Sequence, residues 1–299
     1  MASSNPVFNN PAFQERGTAR PAGSTGLTPP PAQATTGAQA AANAQLEGAY
    51  AAPPAGAIET GRMTVEDTVY KTIALFGVLL VGAVVGWLWT MAGVTTANPN
   101  PSIVPWIVGG LGGFILSMVV IFGSRTKVRP ALIFAYAAFE GLFVGGISAY
   151  FEYIWPGIVL QATLATVVVV GVTLALFASG KIRASARATK IFLIAMVGYL
   201  VFGLLNVVLM MFGVFSADNG GAFGIYSVKI AGIPLGLIIG VLVVIMAAYS
   251  LVLDFDQIQQ GVRNGAARQF GWLGGFGIMV TVVWLYLEIL RILAVLRSN

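Results

Sequence analysis

The chain has 299 residues, 57% hydrophobic and only 9% charged, with a mean hydropathy of +0.85. A soluble domain carries about 25% charged residues, so the composition excludes an ordinary cytosolic globule. With no His and no Cys, imidazole acid–base catalysis, Ser-His dyads, disulfides, thiolate nucleophiles and zinc–thiolate or iron–sulfur sites are excluded too, and the net charge of +5 reads as membrane-protein loop charge rather than a nucleic-acid footprint.

Residues 1–60 are rich in Ala, Pro, Gly, Thr, Asn and Gln, as in Leu27-Thr28-Pro29-Pro30-Pro31. No apolar periodicity there can bury a core, so the segment reads as a disordered N-terminal tail. It lacks the charged start and apolar run of a signal peptide. Two N-P-x-F units, Asn5-Pro6-Val7-Phe8 and Asn10-Pro11-Ala12-Phe13, lie five residues apart. They read as chance in a biased tail before they read as a docking motif.

Residues 61–299 read as one all-α, polytopic membrane domain. Thr64 and Asp67 stand at capping-box spacing and signal a helix entry. Seven apolar runs follow, at about 72–93, 103–123, 131–151, 157–179, 191–214, 232–256 and 274–295. Each approaches or exceeds the ~20 residues needed to cross ~30 Å of hydrocarbon. Gly109-Gly110-Leu111-Gly112-Gly113 and Gly274-Gly275-Phe276-Gly277 suit close helix packing in lipid. Asn206, inside the fifth run, reads as interhelical glue.

The connecting charges alternate. Arg62, Lys71, Arg125, Lys127, Arg129, Lys181, Arg183, Arg187, Lys190, Arg263 and Arg268 fall on one side; Lys229 and Arg297 fall on the other. This pattern predicts a cytoplasmic N-terminus and an outside C-terminus in the inner (plasma) membrane.

Ionisable groups inside lipid spans are costly, and each is a functional-site hypothesis by default. Glu140, Asp254, Glu288 and Arg291 qualify, with Asp256 and Arg125 near an edge. Glu140 stands ten residues past Pro130, or ~15 Å deep. Glu288 also falls near mid-membrane, and Asp254 nearer the cytoplasmic mouth. Asp256 reads as the end of the sixth helix. Two close carboxylates tend to share a proton, which suits a proton sensor. Calcium takes carboxylate and carbonyl oxygens and needs no His or Cys. Glu288 can pair with Arg291 three residues on, with Asp254, or with Glu140. No P-loop, retinal lysine or membrane di-aspartyl pair is present, and no nucleophile–base set marks an enzyme.

Leu253-Asp254-Phe255-Asp256-Gln257-Ile258, Leu285-Tyr286-Leu287-Glu288-Ile289-Leu290-Arg291 and Phe139-Glu140-Gly141-Leu142 resemble stretches of the Bax inhibitor-1 family, over about residues 64–297. The resemblance implies six helices surrounding a central, mostly apolar seventh. It implies a pH-sensitive calcium leak in which Asp254 and Glu288 form a paired sensor and transient calcium ligands. Arg125 would latch the sixth-helix acid, and Glu140 would line the path. Two features depart from the family: Glu288 replaces an Asp, and the loop between the sixth and seventh spans is long. The implied partners are the lipid bilayer and calcium as the transported ion, with no resident cofactor and no nucleic acid. The alternative is an interaction protein that modulates a membrane protease or other membrane partners without transport.

Overall fold

The computed structural model describes residues 61–96, 98–124, 127–214 and 223–298. The expected N-terminal tail and Arg125 lie outside them. The described residues form seven helices long and apolar enough to cross a membrane: α1 (Val65–Met91), α2 (Val104–Gly123), α3 (Pro130–Ile154), α4 (Ile158–Ala178), α5 (Ala186–Met211), α6 (Leu235–Arg263) and α7 (Gly271–Ser298). The all-α, seven-span reading holds.

Local chemistry sets the ends. The Thr64 hydroxyl accepts the Asp67 N–H at 3.1 Å, which starts α1 seven residues before the apolar run. The Glu152 carboxylate closes the turn between α3 and α4, accepting from Gly157 N at 2.6 Å and Val159 N at 3.0 Å. Gly157 takes φ +84°, where a side chain would be strained. The sixth helix corrects the sequence reading. It does not stop at Asp256 but runs to Arg263. Asp256 accepts from Gln260 one turn on, at 2.8 Å, so its charge is satisfied on the helix surface.

Helices α1, α2 and α3 form a seam of bare backbone. A Cβ on Gly141 would run into the Leu79 carbonyl oxygen, and one on Gly145 into that of Ala83. A Cβ on Gly109 would meet the Phe143 backbone, and one on Gly146 would stand 2.9 Å from Trp106 N. In lipid no hydrophobic force drives helices together. Close backbone approach supplies dispersion contact instead, and only Gly permits it here. The Gly109–Gly113 stretch does this work as expected. The Gly274 and Gly275 faces admit side chains instead, Ile258 and Thr68 at the first and Thr72 and Leu75 at the second.

Helix α7 is the most buried span, with half of its apolar window covered, against 11% for α5. It packs closely on α1, α3, α4 and α6. Helix α5 reaches it through a side chain, Tyr199 to Glu288. Phe276, Leu273 and Met279 of α7 share a core with Leu75 and Ile133. Leu285 and Leu290 share a second with Ile158 and Ala247.

The two ends of the bundle differ. At one, the Met63 N–H donates to Ala266 O at 2.7 Å, and the Arg268 N–H to Gly61 O at 2.8 Å. Asp67 there binds both Lys71 and Arg268. At the other, Arg297 donates to Trp155 O, Pro156 O and Gln161 Oε1 at 2.9–3.2 Å. A hairpin, β1 (Lys229–Ile230) and β2 (Ile233–Pro234), follows α5. Asn206 fastens the turn before it, accepting from Ile225 N at 2.7 Å. It therefore holds a connecting turn rather than another span.

Candidate functional site: three acids around one crevice

Helix α7 serves as a ruler along the bundle. Thr281 stands ten residues past Gly271, about 15 Å up the helix, and Glu288 seven residues further, about 10 Å higher. Asp254 of α6 is fully buried and accepts the Thr281 hydroxyl at 2.6 Å. The extension of α6 to Arg263 places Asp254 nine residues inside the helix end. It therefore lies within the helix rather than at its terminus.

Glu288 is also buried. One carboxylate oxygen takes a salt bridge from Arg291, one turn on. The other accepts the Tyr199 hydroxyl of α5 at 2.9 Å. The Arg291 guanidinium lies over the Tyr226 ring, 3.9 Å from its centroid, a cation–π contact that offsets part of its desolvation.

Glu140 of α3 is half-buried. Tyr136, one turn back, is the side chain it interacts with. Its Oε2 fills the space that a side chain on Gly113 of α2 would need, at 3.0 Å. Gly113 therefore admits the carboxylate.

No hydrogen bond among the described residues joins any two of these three acids. Of the partners open to Glu288, the structure selects Arg291. Asp254 and Glu288 are two helical turns apart on the α7 ruler, and Glu140 turns to Tyr136. A longer sixth helix was the feature that would bring Asp254 to Glu288. The helix is longer, and it brings Asp254 to Thr281 instead. Among the described residues no group of three or more acidic side chains converges as a metal cage.

What unites the acids is a cavity of about 770 Å³ between α5 and the rest of the bundle. Tyr136, Thr281 and Tyr199 all line it. Each is the hydroxyl partner of one acid. The three carboxylates thus stand behind hydroxyls around one crevice, at two levels of the bundle. Sequence reasoning missed all three hydroxyls. One signal was available for the tyrosines: Tyr favours the membrane interfaces, and Tyr136 and Tyr199 lie inside their spans. Thr281 gave none, because a span Thr ordinarily bonds its own helix backbone, as Thr166 does with Ala162 O at 2.7 Å.

The family model described as Bax inhibitor 1 like matches residues 5–298. The match begins well before residue 64, where the motif resemblance began. No curated protein and no solved structure matches the chain.

Proposed function

The chain belongs to the Bax inhibitor 1 like family, and on that premise we propose that it is a pH-sensitive calcium leak of the inner membrane, oriented with its N-terminus in the cytoplasm. The observation that carries this reading is that three acids have their neighbouring hydroxyl residues, Tyr136, Thr281 and Tyr199, along one crevice. Carboxylate oxygens are ligands that suit a hard cation. Calcium accepts such oxygen ligands in loose geometry, so it can pass from one level to the next without a rigid cage. Protonation of Asp254 or Glu288 removes the charge that attracts it and rearranges the hydroxyl contacts, which shifts the balance between closed and open forms. The gate then consists of two stacked stations, Asp254–Thr281 and Glu288–Tyr199–Arg291, rather than one shared-proton pair. Arg125 remains the latch proposed for Asp254.

Calcium entry into indicator-loaded proteoliposomes at pH 6 and pH 8 tests this. We expect a pH-dependent flux that Asp254→Asn and Glu288→Gln each flatten. Glu288→Gln leaves Arg291 without its counter-charge, so Asp254→Asn is the cleaner variant. Folded wild-type protein that passes no calcium at either pH would end the leak reading in favour of an interaction protein that modulates a membrane protease.

A further inference from the structure

A second cavity, of about 600 Å³, adjoins the crevice. Tyr199 and Trp284 line both and mark where they join. The two hollows differ in chemistry. The crevice is mostly apolar, edged by Leu200 and Leu204 of α5, which are themselves 71% and 66% exposed. It therefore opens onto the hydrocarbon. The second hollow is an aromatic chamber that includes Trp106, Tyr150 and Trp155 and holds Glu288 and Arg291.

Arg291 is incompletely satisfied. Its Nη2 binds Glu288, but Nε and Nη1 are buried with no acceptor among the described residues. A buried guanidinium N–H without an acceptor is costly, so the site favours an anionic oxygen from elsewhere. A bare carboxylate would leave most of a 600 Å³ chamber empty. A larger headgroup fills it and sets its polar part among Trp and Tyr rings, which suit an interface between apolar and polar matter. From Trp284 to Phe276, both lining the crevice, is eight residues or about 12 Å along α7. The chain of one leaflet needs about 15 Å, half of a ~30 Å core.

We propose that the joined cavities hold one phospholipid, with a phosphate oxygen on Arg291 and one acyl chain along the crevice behind α5. The lipid comes from the leaflet at the Arg297 end of the bundle. It supplies the packing that α5 lacks and covers the Tyr199 hydroxyl bonded to Glu288.

Native mass spectrometry of the full chain in detergent tests the assignment, with phosphatidylethanolamine, phosphatidylglycerol and palmitate as added probes. We expect one phospholipid retained per chain. Arg291→Gln should lower retention roughly tenfold, the worth of one charge-assisted hydrogen bond. Gly203→Leu keeps Arg291 and should lower it by a similar factor. Gly203 lines the crevice, and a Cβ there meets nothing nearer than the Tyr226 hydroxyl at 4.0 Å, so this variant fills the groove and still folds. Wild-type protein that retains no phospholipid, retention unchanged in Gly203→Leu, or retention of palmitate alone would each overturn the proposal.

Discussion

The α1–α3 seam and α5 are both apolar, glycine-bearing and long enough to span, yet they are held in opposite ways. In the seam, Gly141 and Gly145 press against the α1 backbone with no room for a methyl group. On α5, Gly198 has nothing within 4 Å of where a Cβ would stand. Helix α5 touches its neighbours through a few side chains: Tyr199 to Glu288, Thr189 to Tyr249 at 3.0 Å, and Asn206 to the following turn. One region is a close-packed frame and the other a sparsely packed wall. Glu140 belongs to the frame, and Asp254 and Glu288 stand on the helices between it and the wall.

Four substitutions test that contrast. Gly145→Val should be the most damaging, costing about 3 kcal/mol or more, because backbone cannot yield to a side chain. Thermal unfolding in detergent reads it, and normal stability would refute the rigid seam. Next, Thr281→Val removes a donor to buried Asp254 and should cost about 1–3 kcal/mol. It should also move the pH midpoint of calcium flux, with Thr281→Ser restoring both. Arg268→Ala should cost little, since its side chain is 55% exposed and its bridge to Asp67 is open to screening. The loss should vanish in high salt. Gly198→Leu should cost nothing and stabilise by up to about 1 kcal/mol, since it replaces Gly with a better helix former in open space. If Gly198→Leu proved as harmful as Gly145→Val, the two regions would be packed alike and the contrast would fall.

Much of this was legible in the residues. Unbroken apolar runs long enough for a helix announce seven spans because lipid leaves the backbone only helices and closed barrels. Glu288 with Arg291 was readable as neighbours on one helix face. The length of α6 was not, because Asp254 and Asp256 look like a polar terminus until their partners are known. The hydroxyls at Tyr136, Tyr199 and Thr281 were hidden for the same reason: their roles depend on which helix faces which. Nor does composition separate a glycine in a seam from one on an open wall; Gly145 and Gly198 are written identically.

The Lys71 ammonium donates to the Arg268 carbonyl at 2.6 Å and stands 5.4 Å from the centre of the Trp272 ring. Its partners are 197 and 201 residues further along the chain. During synthesis the first helix enters the bilayer long before they exist, and until then its buried charge has only Asp67 on its own helix. The last helix to emerge completes the first. A nascent chain stalled before residue 268 would present an unfinished cationic edge.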